Sequence, residues 1–410
     1  MTSTTESNRS AGVRDILSDR AVTTVIALSF VMMFGLGIVL PVLPLYARSF
    51  GVGYAAAGFI VSGFGLARLG AGAVAGSIID RVGERRASSG GLALLAVCSA
   101  ATGLAPAYWA AVLAWSVGGM GSAVMIAAQY SYLLRTVPRD RMARTLGLFY
   151  GSFNAGLVAG GFVGGVLAET FGLASPLHAY AALLALAAVL YWRLVPEPRR
   201  AAPAETAPHD AARATRARGA VVELLRRREV VTTIVVNFAY MWVVAALFDT
   251  LVPLFASDEF GMSPAGIGVV FSITLATEFV VLYPAGTLAD RHGRKAVLVP
   301  SLAALSVLAA AVAFAPTIVA FGAVMAVLGI ASGFAGVPPA AMLSDVVPEE
   351  RSGIGVGMFR FAGDLSFFVA PVLVGSIASG FGFRWAFALA AAPVAVALVL
   401  VARTAETMRR

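Results

Sequence analysis

Five charged residues lie inside long apolar stretches of this sequence: Arg68, Asp249, Glu278, Arg360 and Asp364. A charge at the centre of a membrane-spanning stretch costs roughly 2.5–3.5 kcal/mol. A carboxylate can avoid that cost by taking up a proton, whereas an arginine can hold an anion or form an ion pair. The five residues are therefore candidates for proton exchange or substrate binding.

The spacing of these charges suggests which of them meet. Arg68 and Glu278 are 210 residues apart, which makes them equivalent positions of the repeat described below, where they could face one cavity. Arg360 and Asp364 are four residues apart and share a helix face, so a fixed ion pair that is silent in transport is the alternative for them. Asp249 lies toward the outer end of the seventh predicted span. Like Glu278, it has no sequence neighbour that neutralises it, which favours a functional role.

Three uncharged amide side chains also lie in apolar stretches, namely Gln129, Asn154 and Asn237, and Asn154 is the counterpart of Asp364 in the repeat. Amides in such positions could hydrogen-bond to a substrate or join neighbouring helices. Both roles remain open from the sequence.

The composition indicates what surrounds the chain. Of 410 residues, 59% are hydrophobic and 13% are charged, against about 45–50% and about 25% in soluble proteins. Because so few charges cannot cover a wetted surface, lipid is the expected environment. The single cysteine, Cys98, is expected to be an apolar filler, and three scattered histidines predict no metal site.

A spanning helix needs about 20 apolar residues to cross about 30 Å of hydrocarbon. The sequence contains twelve such stretches and predicts an all-α integral membrane protein, with spans near residues 22–46, 55–79, 88–105, 108–134, 143–170, 176–195, 230–256, 264–289, 296–315, 317–344, 352–380 and 383–402.

The spans fall into two sets of six. The predicted organisation is a cytoplasmic tail, a first bundle, a cytoplasmic linker rich in Ala, Pro and Arg, a second bundle and a short tail, at residues 1–21, 22–195, 196–228, 229–403 and 404–410. A short surface helix is predicted near Val221–Arg228.

Basic residues set the predicted orientation. With the N-terminus inside, 26 of the 30 Lys and Arg residues fall in inside segments, and only Arg48 and Arg384 fall outside. The positive-inside rule then puts both termini in the cytoplasm, and anionic lipid accounts for the net charge of +8 without nucleic acid. One lysine against 29 arginines is typical of a GC-rich genome, which favours a bacterial inner membrane.

The chain repeats itself with a shift of 210 residues. A loop group in the first half recurs in the second, with Gly76, Asp80, Arg81, Gly83 and Arg85 matching Gly286, Asp290, Arg291, Gly293 and Lys295. The same shift carries Val137-Pro138 to Val347-Pro348 and Phe171-Gly172 to Phe381-Gly382. Two parallel halves with a site between them are a common transporter design.

Both loop copies resemble the signature that the major facilitator superfamily carries between the second and third spans of each half. The second copy reads Gly286-Thr-Leu-Ala-Asp290-Arg291-His-Gly293-Arg294-Lys295, and the resemblance covers Val22 to Arg403. It implies two pseudo-symmetric six-helix bundles. It also implies a loop that latches the outward-facing state, with an aspartate pairing across the halves; the alternative is a topology signal alone.

The fifth predicted span carries a finer resemblance. Its glycines are similar to the motif of drug:proton antiporters: Gly147, Gly156, Gly160, Gly161, Gly164 and Gly165. The family motif has a proline directly after the third glycine, and Gly161 stands in that place here. Generic small-residue packing is the alternative. The first span, Gly35 to Pro44, is similar to that of twelve-span drug exporters. Trp115, however, stands where those exporters usually carry an arginine tied to proton transfer.

The resemblance implies a secondary active transporter rather than an enzyme, and the sequence has no His-Glu-x-x-His or Gly-x-Ser-x-Gly motif. We expect proton-coupled efflux of lipophilic small molecules, such as drugs or antibiotics, by alternating access. The alternative is import of a sugar, organic acid or other metabolite, with Arg68 and Arg360 holding an anionic substrate. Without a phosphate-binding loop, neither ATP nor another cofactor is expected. The expected partners are the bilayer, protons and a small molecule, and the expected functional unit is a monomer.

Overall fold

The computed structural model describes residues 19–197 and 219–408, and within these ranges every regular element is helical. The predicted N-terminal tail and most of the predicted linker lie outside the described residues. The α-helices are α1 Arg20–Val39, α2 Leu43–Arg48, α3 Tyr54–Val82, α4 Glu84–Gly103, α5 Tyr108–Thr136, α6 Arg139–Phe171, α7 Ser175–Leu194, α8 Arg228–Val243, α9 Val252–Phe260, α10 Pro264–His292, α11 Arg294–Ala311, α12 Ile318–Gly336, α13 Pro338–Val346, α14 Ser352–Phe381 and α15 Phe383–Arg403.

Eleven helical segments in the described chain are long and apolar enough to cross a membrane. The helix α4 is the twelfth, although charged residues in its first turn and many Gly, Ser and Thr residues make it less apolar. It packs against α3, α5 and α7, all of which belong to the eleven, so it lies within the same bundle. The predicted spans 264–289 and 352–380 agree with α10 and α14 to within three residues.

Each half uses the same packing scheme. In the first half α1 packs on α6 and α4 on α7; in the second, α8 packs on α14 and α11 on α15. The predicted short helix before α8 is observed at residues 219–225, where Leu224 is buried against Val230, Leu343 and Val347. Burial of Leu224 and an ion pair between Glu223 and Arg351, 2.6 Å apart, attach the segment to the second half.

The first span of each half is irregular. α1 and α2 are separated at Leu40–Val42, and α8 continues into a π-helix at Val244–Leu251 before α9 begins. In the π-helix, the Thr250 hydroxyl donates a hydrogen bond to the Ala245 carbonyl at 2.8 Å. Because π segments are rare and frequently occur at functional sites, this segment is a place to look for chemistry.

Two seams join the halves, α3 with α14 and α10 with α6. The seams are tight at the end away from the two Asp-Arg loops, where a methyl group added at Gly65 would lie 2.7 Å from the Phe367 carbonyl carbon. A methyl group added at Gly165 would lie even closer to the Pro264 carbonyl oxygen. We call this end the closed face and the end with the Asp-Arg loops the motif face.

Toward the motif face the same helices diverge. A methyl group would meet no atom within 4 Å at glycines from all of α3, α6 and α14: Gly72, Gly76, Gly147, Gly151, Gly353 and Gly357. Helices that touch backbone to backbone at one end and stand apart at the other leave a space between the halves that opens at the motif face.

Candidate functional site

Arg68 of α3 and Asp364 of α14 form an ion pair between the two halves. Arg68 Nε donates to Asp364 Oδ1 at 2.8 Å, and Arg68 Nη2 donates to the same oxygen. The Arg68 guanidinium also lies 5.4 Å from the centroid of the Phe367 ring. Because Gly65 packs on Phe367 within one turn, the pair lies at the inner limit of the closed seam.

Asp249 approaches the same arginine from the π-helix, which packs on both α3 and α14. Its side chain is buried, with 3% exposed, and it interacts electrostatically with Arg68. No hydrogen-bond donor to its carboxylate is found in the described part of the chain. One arginine therefore faces two carboxylates, and the cluster carries one uncompensated negative charge when both are ionised.

The ion pair that helix spacing suggested between Arg360 and Asp364 does not form. Asp364 is held by Arg68, and the exposed Arg360 guanidinium instead lies 5.7 Å from the centroid of the Tyr130 ring, near Tyr150. The physical reason is that α3 packs directly on the face of α14 that carries Asp364, and supplies a closer cation.

Glu278 of α10 has a different surrounding from its repeat equivalent Arg68. The Tyr240 hydroxyl donates to Glu278 Oε1 at 2.7 Å, and no ion pair of Glu278 is found within residues 19–197 and 219–408. The buried Ser332 hydroxyl lies beside this pair and has no hydrogen-bond partner of good geometry in the described residues. The two equivalent charges thus have separate partners and do not contact each other.

Two of the three amides have structural partners. Gln129 is buried in the first half, where its Nε2 donates to Met32 Sδ at 3.2 Å, and Asn237 Nδ2 donates to the Phe359 carbonyl at 2.7 Å, joining α8 to α14. In the part of the chain that the structure describes, Asn154 Nδ2 bonds only to the Tyr150 carbonyl of its own helix. Asn154 alone is left partly exposed on the seam helix α6.

The glycines of the antiporter-like motif form two contact faces on α6. Gly156, Gly160 and Gly164 lie against the backbone of α1, while Gly161 and Gly165 lie against α10 of the other half. At Gly161, a methyl group would lie 2.8 Å from both Phe271 Cδ1 and Ser272 Oγ. Gly147 lies toward the motif face, where an added methyl group would meet no atom within 4 Å. The motif therefore lets α6 touch both halves closely at the closed face.

In the first-half loop, Asp80 pairs within its own half. It is 72% exposed and lies 3.7 Å from Arg135 Nη2, while Arg135 Nε lies 2.9 Å from the buried Glu84 Oε1. Within residues 19–197 and 219–408, Asp80 makes no ion pair with the second half, and the motif ends of the two halves are apart. Gly83 has φ +91 at the turn, Arg81 is exposed, and the Arg85 guanidinium stacks 4.5 Å from Trp192.

The second-half loop repeats this arrangement with the signs exchanged. Arg294 and Asp345 stand 210 residues after Glu84 and Arg135, and Arg294 Nε lies 3.2 Å from Asp345 Oδ2. Asp290 also pairs with Arg294, and Arg291 is exposed. Both halves therefore use one ion pair at this place, with opposite polarity.

The end of α15 supports the second loop. Some desolvation opposes ionisation of the exposed Glu406, but backbone N–H groups of Met408, Lys295, Arg294 and Thr407 donate to it and lower its pKa. Lys295 Nζ donates to the carbonyls of Ala402 and Thr404 at 2.7 and 3.0 Å. Gly293, with φ +101, is the turn residue, and Gly286 has room beside Val337.

Sequence reasoning missed several residues of this region. Neither Tyr240 nor Ser332 stands out in the sequence, because both are common residue types in apolar helices. Arg48 was assigned to an outer loop, yet it pairs with Asp258 across the halves at 3.2 Å. Trp115 is buried and stacks on Phe64 with ring centroids 5.1 Å apart, so it serves as core packing. A pair that joins distant segments leaves no local pattern.

Comparison with known proteins gives the family. The model of the Major Facilitator Superfamily matches residues 25–265 and 245–409. The quinolone resistance protein NorA of Staphylococcus aureus is 23% identical over 243 residues, which are 59% of this chain and 60% of NorA. The chain thus matches less than two thirds of the length of that relative.

Solved structures agree on the fold. A bacterial homolog of the human lysosomal transporter Spinster, in an inward-facing and unoccupied conformation, superposes with a TM-score of 0.78 at 14% identity, covering 95% of this chain and 97% of that one. A D-xylose–proton symporter gives 0.73 at 17% identity, covering 94% and 98%. The eleven membrane-length segments of the described chain and α4 form two equivalent bundles, and the family model matches nearly the whole length, so the chain belongs to the major facilitator superfamily and is a membrane transporter.

Proposed function

We propose that this chain is a proton-coupled exporter of lipophilic small molecules that works by alternating access. The observation that carries the proposal is Glu278, a carboxylate in the membrane interior whose bonded partner is a tyrosine hydroxyl and not a cation. A carboxylate there has no fixed counter-charge, so proton uptake and release change its interaction with the surrounding helices. Asp249, with Arg68 shared between two acids, is the second candidate.

The direction of transport rests on similarity and on the glycine motif. NorA is named for quinolone resistance, and the antiporter-like glycines lie where the halves touch. We assign the motif face to the cytoplasm because the basic residues concentrate there. With this orientation both termini lie on the cytoplasmic side of the cell membrane. The space between the halves then opens to the side from which an exporter takes its substrate.

The test uses inverted membrane vesicles with an acid interior and a pH-sensitive dye inside. We expect a quinolone or a lipophilic cation such as ethidium to alkalinise the interior in vesicles that contain the wild-type chain. Glu278→Gln should abolish this signal, because the side chain can no longer release a proton. Glu259→Gln, which removes an exposed carboxylate on α9, is the matched control and should leave the signal intact.

Two outcomes would reject the proposal. Alkalinisation that persists in both Glu278→Gln and Asp249→Asn would remove the proton role from these carboxylates. A chain that moves protons with none of the lipophilic compounds, but accumulates a metabolite in right-side-out vesicles, would reject export.

Import of an anionic metabolite is the second candidate, and a specific observation favours it. Arg360 is exposed, lies on the ring of Tyr130 and forms no ion pair within the described ranges. A guanidinium that lies beside tyrosines and is not paired with a carboxylate can bind a substrate carboxylate with two parallel hydrogen bonds. Arg360→Gln should then abolish uptake of the organic acid, whereas under export of neutral or cationic compounds it should have little effect.

A further inference from the structure

Two grooves meet on the outer surface of the first half, one on each side of α4. The first has a volume of about 460 Å³ and lies between α3, α4 and α5, and the second has about 500 Å³ and lies between α4 and α7. Arg86 and Gly90 line both grooves, so the two join at the motif-face end of α4.

The grooves face the bilayer rather than the space between the halves. The packing partners of α4 are α3, α5 and α7 of its own half. Gly70 and Val74, which line the first groove, lie roughly 140–180° around α3 from Gly65, the residue that contacts the other half. The walls of this groove therefore face lipid.

The first groove is apolar, and its length is close to the thickness of the hydrocarbon layer of one leaflet. It runs along α3 from Val82 to Gly70, which at 1.5 Å per residue is roughly 18 Å, close to half of the roughly 30 Å hydrocarbon layer. A methyl group added at Gly90 would meet nothing within 4 Å, so this glycine leaves the junction of the grooves unfilled.

The second groove carries the polar end. Arg86 and Arg193 line it, both are exposed, and neither forms an ion pair within residues 19–197 and 219–408. Trp192, a residue type common at membrane interfaces, lines the same groove. Two free arginines at the end of an apolar groove match an anionic headgroup attached to acyl chains.

An unpartnered buried hydroxyl provides independent support. Ser89 lines the second groove and is only 7% exposed, yet its Oγ has no hydrogen-bond partner in the described structure. Buried polar groups are normally satisfied, so a missing acceptor is expected beside it. A phosphate oxygen held by the neighbouring arginines would supply that acceptor.

We propose that these grooves bind one anionic phospholipid of the surrounding leaflet, with its phosphate at Arg86, Arg193 and Ser89 and one acyl chain in each groove. The second half lacks this site. The positions 210 residues after Arg86, Ser89 and Gly90 are Ala296, Val299 and Pro300. The site is therefore specific to the first half and does not follow from the repeat.

The test is native mass spectrometry of the purified full-length chain in detergent, titrated with phosphatidylglycerol and with phosphatidylcholine of the same acyl chains. We expect phosphatidylglycerol to bind more tightly. The double variant Arg86→Ala/Arg193→Ala should weaken it by about fivefold for each arginine, or about 25-fold in total. Gly90→Leu should weaken both lipids by filling the junction of the grooves.

Arg403→Ala is the matched control, because Arg403 is the exposed repeat equivalent of Arg193 outside the grooves, and it should bind as the wild type does. Equal binding of the two lipids, or unchanged phosphatidylglycerol binding in both the double variant and Gly90→Leu, would overturn the proposal. Binding of glycerol phosphate as tight as that of phosphatidylglycerol would also overturn it, by showing a phosphate site that does not need the grooves. A Cβ added at Gly90 meets no atom within 4 Å, so Gly90→Leu tests the grooves even where the arginine variant is unstable.

Discussion

Arg48 and Asp258 pair with each other across the two halves, with 3.2 Å between Arg48 Nη1 and Asp258 Oδ2, and they lie 210 residues apart. That separation is the shift of the repeat, and Gly51 and Gly261, also 210 apart, both end their turns with positive φ. Two equivalent helix ends therefore meet near the pseudo-two-fold axis. The Tyr54 hydroxyl donates to Asp258 at 2.5 Å and reinforces the contact at the closed face.

Reversing one charge of this pair should favour opening of the closed face. The two side chains are about one third exposed, so the pair contributes about 0.2–1 kcal/mol and its loss shifts the equilibrium by roughly 1.4- to 5-fold. We expect Arg48→Asp to raise the labelling rate of a cysteine introduced at Ser62, which is fully buried in the α3–α14 seam, by that factor. The double variant Arg48→Asp/Asp258→Arg should restore the slow rate, and an unchanged rate in the single variant would contradict the prediction.

Removal of Arg68 should be more harmful than removal of Asp364. Arg68→Gln leaves the carboxylates of Asp249 and Asp364 near each other without a cation, whereas Asp364→Asn leaves Arg68 with Asp249. Because the pair is only partly buried, we expect a loss of about 1–3 kcal/mol for Arg68→Gln, below the value for a fully buried pair.

Thermal unfolding in detergent measures which single variant is destabilised more. Adding Asp364→Asn to Arg68→Gln should recover part of the stability that Arg68→Gln loses. Equal destabilisation by the two single variants, or no recovery in the double variant, would show that Asp249 does not share the arginine.

Alanine substitutions at glycines of α6 should lower stability at the closed face but not toward the motif face. Gly165→Ala places a methyl group against the Pro264 backbone, so α10 must move, and overpacking of this kind costs about 1–3 kcal/mol. Gly151→Ala, on the same helix, meets open space and should be neutral or gain up to about 1 kcal/mol from helix propensity. Melting temperatures of the two variants test the prediction, and similar melting temperatures would mean that the α6–α10 contact is not tight.

The ion pair of Glu84 and Arg135 should tolerate an exchange of its charges. Glu84→Arg alone buries a guanidinium beside Arg135 and should destabilise the first half by about 3–5 kcal/mol. The double variant Glu84→Arg/Arg135→Asp reproduces the residues at the equivalent positions of the second half, Arg294 and Asp345, and should recover most of the stability. The yield of folded protein and its melting temperature report the recovery. A double variant no better than the single one would mean that the two halves hold these charges differently.

Much of the architecture could be predicted from local sequence. Long apolar stretches must be helical, since lipid offers no other hydrogen-bond partner to the backbone, and α10 and α14 were predicted almost to the residue. The repeat and the loop glycines Gly83 and Gly293 were visible because the same backbone geometry demands the same residues twice. Charged residues in apolar stretches stood out because each carries a local cost.

The partners of those charges were decided by the tertiary structure alone. Arg360 and Asp364 share a helix face, yet Asp364 is bonded by Arg68, which is 296 residues away in the sequence. Glu278 and its tyrosine come from different helices, and the open and closed ends of the seams depend on how two halves tilt against each other. Helix formation depends on hydrogen bonds four residues apart, so the sequence alone determines it; charge pairing depends on which helix faces are packed together, and only the assembled bundle decides that.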